Sequence, residues 1–191
     1  MSTAKTRECS CRLEPSSPLT TDVDLAVALL RATPTHENRP EAQLRGWAET
    51  ALAYGDELAA APGEDEDVRI VERDGGVRDG ELLLAEYRRA TVTLYRDALA
   101  RMEKLAARKG WDVSPECLRK AAVAHELAHH RLDVRELNRR LGHTAARFGP
   151  FRVRGHVAGA DEIVAHRFAH HRSGLGVSPL RLTAALAEGN R

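Results

Sequence analysis

Residues 114–132 read SPECLRKAAVAHELAHHRL, and the fold is best read outward from this stretch. It opens with the start signals of a helix. Ser114 stands at the N-cap, Pro115 at the first helical position, and Glu116 in the first turn, where a negative charge offsets the unpaired backbone N–H groups. Leu118, Ala122, His125, His129 and Leu132 follow at spacings of three and four, so they share one face. Two histidines four residues apart on that face project side by side and reach a single metal ion. Glu126 follows the first of them, placed to meet a water activated by the metal and to take its proton. The plain alternative is a solvated helix face, but these histidines share their stripe with apolar residues rather than with polar ones.

A catalytic zinc site takes three protein ligands and keeps one position open. A third His six residues after the second, past a Gly, is excluded because Leu132 and Arg135 stand at those places. A Glu from a later helix is the other solution. The segment 161–171 reads DEIVAHRFAHH, with Ala165, Phe168 and Ala169 on the face of Glu162. A small residue at 165 permits close approach to the metal-binding helix, and Phe168 anchors the core. Glu162 is therefore the expected third ligand, with His156 as an alternative. His166 and His170 are placed either to hold a second metal or to line the cleft. An oxyanion donor besides the metal is sought among His156, His166, His170 and Tyr95. One Zn2+ per chain is expected, with Mn2+ an open alternative.

Around these two helices the pattern predicts an α+β domain. Residues 22–32 and 41–61 read as helices, the second with Leu44, Trp47, Ala51 and Leu58 at helical spacing and stopped by Pro62-Gly63. Strands are expected at 68–73, 81–87 and 90–95, the first leading into Asp74-Gly75-Gly76, a hairpin signal. Short links between them predict a small, mostly antiparallel sheet of about three strands. One strand, 81–87 or 90–95, is expected at the sheet edge above the cleft. Residues 96–109 and 179–188 complete the set as helices. The organisation expected is a disordered tail over 1–20, an N-terminal helical segment over 21–66 and a metal-binding core over 67–191.

Composition sets the limits. The 191 residues carry a formal net charge of +1 and 4% aromatic residues, which excludes a strongly basic nucleic-acid binder and requires a core of Leu, Val and Ala. No run approaches the roughly 20 apolar residues of a membrane span. Three cysteines, Cys9, Cys11 and Cys117, make no disulfide framework and fit a reducing, cytoplasmic setting.

The pair of motifs, HELAHH at 125–130 and ExxAxxFA at 162–169, resembles the ImmA/IrrE-type metallopeptidases, minimal relatives of the thermolysin-like gluzincins. The resemblance spans about residues 67 to 185. It implies a zincin fold, zinc held by His125, His129 and Glu162, and Glu126 as general base. It also implies regulated cleavage of a specific protein or peptide substrate, with a transcriptional repressor as the type of target. Two departures stand out. Larger gluzincins carry an Asp four residues after the ligand Glu, where this chain has His166; Asp133 is the substitute placed to orient a ligand. The segment between the motifs is also rich in arginine (Arg131, Arg135, Arg139, Arg140, Arg147, Arg152 and Arg154). That is a solvated basic face or a steering surface for an acidic partner; direct nucleic-acid binding is not expected.

Two other function classes compete. A di-iron carboxylate bundle needs a second Glu-x-x-His, which Ala165 denies to Glu162. A non-catalytic interaction or regulatory module on the same fold does not require Glu126, which this chain retains.

Overall fold

The computed structural model describes residues 21–36, 38–62, 68–78, 81–149 and 151–189. The expected tail, with Cys9 and Cys11, and the acidic run at 64–67 lie outside these residues. Two helices, α1 (Asp22–Ala32) and α2 (Glu41–Ala60), come first. Five short strands follow: β1 (Arg69–Arg73), β2 (Val77–Arg78), β3 (Glu81–Leu82), β4 (Ala85–Arg88) and β5 (Thr91–Tyr95). Then come α3 (Arg96–Arg108), α4 (Pro115–Arg131), α5 (Val134–Leu141), the hairpin β6 (Thr144–Phe148) and β7 (Phe151–Arg154), α6 (Ala160–Ser173) and α7 (Pro179–Gly189). The class is α+β, in line with the pattern of the sequence.

The main sheet has three strands in the order β1-β5-β4. Its central strand, β5, buries Val92, Leu94 and Tyr95. β4 and β5 pair antiparallel across a tight turn in which Arg89 and Ala90 both take positive φ (50° and 56°), the twist a two-residue hairpin demands. β1 pairs parallel with β5, against the short-link expectation, because its neighbour is four strands on rather than next in sequence. Asp74-Gly75-Gly76 accordingly makes no hairpin between β1 and the next strand. Its amides turn onto Asp97 in the first turn of α3, whose carboxylate accepts from the N–H groups of Gly75, Gly76 and Val77 at 3.0–3.3 Å. Gly76 is required there: a Cβ would lie 2.4 Å from both the Leu83 carbonyl oxygen and Tyr95 Cβ.

Two apolar clusters meet at one seam. In the first, α1, α2, α5 and α6 pack around Leu30, Leu44, Trp47, Leu137 and Ile163. In the second, β4, β5, α3, α4 and α7 pack around Val92, Leu99, Met102, Leu118 and Leu182. The helices α4 and α6 join them through Ala124, Ala128, Ala165, Ala169 and the ring of Phe168. Small side chains on both helices let the axes approach, which brings the polar face of each to the other.

α6 is also held from behind. Arg167 donates to Asp56 of α2 and Asp22 of α1, at 2.5 and 3.2 Å. Gly55 faces it so closely that a Cβ would stand 2.7 Å from Arg167 Cβ. Trp47 Nε1 donates to the Leu141 carbonyl at 3.1 Å, fixing the end of α5 against α2. His36 is 3% exposed, with its ring edge-on to Trp47. Cys117 is fully buried in α4. No helix among the described residues is long and apolar enough to cross a membrane.

Candidate metal centre

The N-terminus of α4 forms as its sequence dictates, with Ser114 Oγ accepting from the Cys117 N–H at 3.1 Å. One face of α4 is buried through Leu118, Ala121, Ala122 and Ala128, and this fixes the rotation of the helix. His125 and His129 then emerge at the seam, their Nε2 atoms 3.3 Å apart. Glu162, in the first turn of α6, meets both: Oε2 lies 3.3 Å from His125 Nε2, and Oε1 lies 3.3 Å from His129 Nε2.

Those distances test whether the residues fit a metal. A tetrahedral ion with bonds of about 2.0–2.1 Å holds its donors about 3.3–3.4 Å apart. Three donor pairs at 3.3 Å, two nitrogens and a carboxylate converging from two helices, match one triangular face of that tetrahedron. The donor set, two imidazoles and one carboxylate, suits zinc and does not exclude manganese.

The electrostatics follow from the same contacts. Hydrogen bonds from His125 and His129 hold the Glu162 carboxyl well below the usual carboxylate range. Its partner His129 is raised in turn, mainly by the bond to Glu162. Glu126 behaves in the opposite way. Its carboxyl is pushed up, chiefly by burial, while the nearby His125 pulls the other way. Oε2 of Glu126 accepts the main-chain N–H of Tyr87 at 3.0 Å, which ties it to the edge strand β4.

The site opens on a cleft of about 700 Å³. Its polar end holds His125, Glu126, His129, His130, Asp161, Glu162 and His166. Its apolar end runs between β3–β4, α4 and α7, through Leu84, Met102, Leu118, Ala122, Leu182 and Leu186. β4 is the sheet edge that faces this cleft, so of the two expected edge strands only the stretch including 85–87 takes that place.

The remaining candidates divide. His166 joins the site, its ring centroid 4.7 Å from that of His125. Burial pushes its pKa down to about 3, so it stays neutral. His170, one turn on, does not line the cleft; its ring neighbours His171. His156 is exposed and its Nδ1 stands 3.4 Å from Asn138 Oδ1, so it is no third ligand. Tyr95 is buried in the core with its hydroxyl on Arg73, away from the cleft, and is no oxyanion donor. Asp133 orients no histidine: it caps α5, accepting from the N–H groups of Arg135 and Glu136. Of the arginine-rich segment, Arg139 and Arg140 pair with Glu136, and Arg140 also reaches Glu57.

Sequence reasoning missed three neighbours. Tyr87 acts through its backbone, which leaves no side-chain signature. His130 packs its ring against that of Tyr87 at 3.6 Å and lines the cleft, although it lies about 100° around the helix from His129. Asp161 sits with His129 and Glu162 in one potential metal-ligand group; its place beside Glu162 in a helical first turn was the signal.

Comparison of the chain with protein-family models, with curated proteins and with solved structures finds no match.

Proposed function

We propose that this protein is a zinc-dependent metallopeptidase that cleaves a specific protein. The observation that supports this best is the triangle of His125, His129 and Glu162 with Glu126 beside it, outside the ligand set and half-buried. A purely structural zinc site has no use for that carboxylate. Zinc held there would acidify a water and polarise a peptide carbonyl.

The chain's own residues supply the rest. Glu126, with Oε2 fixed by the Tyr87 N–H, takes a proton and delivers it to the leaving amine. Its raised pKa favours the protonated form it must adopt between those two steps. An extended peptide is a fitting substrate because β4 is an edge strand with Ala85 and Tyr87 on the cleft. A transcriptional repressor as target rests on the motif resemblance alone.

The test is peptide cleavage by the wild type and by Glu126→Gln, each with its metal content measured. The variant is expected to keep its metal and to lose about 10²–10⁴-fold in rate. Equal turnover by the two preparations would remove Glu126 from the chemistry.

A further inference from the structure

We propose that His166 is a fourth protein donor to the metal held by His125, His129 and Glu162. The inference rests on the metal-site reading above and adds a ligand to it.

Three observations converge on it. First, His166 lies four residues after Glu162 on α6, so its side chain stands on the same helix face, one turn along. Second, a ring nitrogen of His166 forms one group with the donor atoms of His125 and Glu162, all within 4.8 Å of one another. Its ring is tilted 50° to that of His125, at a centroid distance of 4.7 Å. The pair His125–His129 has a similar separation, 5.0 Å. Donors that share one zinc ion lie about 3.3–3.4 Å apart, so the His166 nitrogen has at most about 1.5 Å to close on its two neighbours.

Third, His166 Nδ1 is sealed from solvent and has no hydrogen-bond partner among the described residues. An unpaired buried polar atom is rare enough to require a specific cause, and an ion is one such cause. A carboxylate at this position would orient a neighbouring histidine as a hydrogen-bond acceptor. An imidazole offers a ligand lone pair instead, on either ring nitrogen. Two imidazoles and a carboxylate from the first set, with His166 added, give three imidazoles and one carboxylate. A five-coordinate metal then keeps one place for water or substrate.

Affinity alone does not separate a ligand from a positioning residue, because outer-shell partners also change affinity by roughly 10–100-fold. Coordination number does. The full chain is loaded with Co2+, and its visible absorption is compared among wild type, His166→Phe and Glu162→Ala. The wild type is expected to give the weak bands of five-coordinate cobalt. His166→Phe is expected to give the stronger, red-shifted bands of a four-coordinate ion. X-ray absorption of the zinc-loaded wild type, which needs no variant, is expected to report three imidazoles. Two imidazoles there, or a Co2+ spectrum unchanged by His166→Phe, would overturn the assignment while leaving the three-ligand site intact. No Co2+ uptake by the wild type, or uptake indifferent to Glu162→Ala, would overturn both readings.

Discussion

The two apolar clusters differ in what they contribute to the site. The sheet-side cluster sets the rotation of α4 and so carries His125, Glu126 and His129; the helical cluster sets α6 and so carries Glu162 and His166. Neither half holds a metal site alone. The sheet side brings two ligands and the base with the Tyr87 N–H that holds it, and the helical side brings the carboxylate that completes the triangle. The site is thus a property of the seam, and the seam is made of four alanines and the ring of Phe168.

The hardest way to break that arrangement is to remove the helical half's ligand. Glu162→Ala should lower zinc affinity by more than about 100-fold, beyond what loss of an outer-shell partner does. Competition against a chromophoric chelator measures it, and an affinity within tenfold of wild type would mean that α6 does not supply the third ligand.

A pair of substitutions then separates the seam from the back of α6. Ala165→Leu inserts volume between α4 and α6, and Gly55→Ala inserts it between α2 and α6. Each should destabilise by about 1–3 kcal/mol in urea unfolding. Only Ala165→Leu should also weaken zinc binding, because only it moves Glu162 away from the histidines. Equal effects on zinc would show that α6 moves as one body with the whole helical cluster.

The smallest expected effect is on pH dependence. His129 has a raised pKa in the folded, metal-free protein, so its pairing with Glu162 is fully stabilising below the unfolded value of about 6.5. That contribution is lost as pH rises through the raised value. His143, His166 and His170 are lowered, so they add stability as pH rises to about 7.5, where the unfolded histidines have lost their protons too, and add no slope above it. Zinc must displace the His129 proton, so its binding should tighten by up to about tenfold per pH unit until His129 is neutral. Above about pH 7.5 the metal-free Tm should drift down as His129 loses its proton, while the zinc-induced gain in Tm grows. Parallel slopes with and without zinc would detach His129 from the metal.

Much of this was legible in the chain. The cap at Ser114, the stripe through Leu118, Ala122, His125 and His129, and the small residues around Glu162 named α4, α6 and their meeting faces. The α5 helix carries local signals of its own, with Asp133 as N-cap and Gly142 in the left-handed C-cap. The parallel β1–β5 pairing was not, because a Gly-Gly turn looks the same whether it closes a hairpin or wraps a distant carboxylate.

Local spacing by itself determined which residues project together from one helix: His125 with His129, and Glu162 with His166. Only the tertiary structure decided which of those pairs meet, which strand edge faces them, and that His156 and Tyr95 stay away. The physical reason is that periodicity fixes directions within an element, whereas distances between elements depend on how side chains of many different residues fill the space between them.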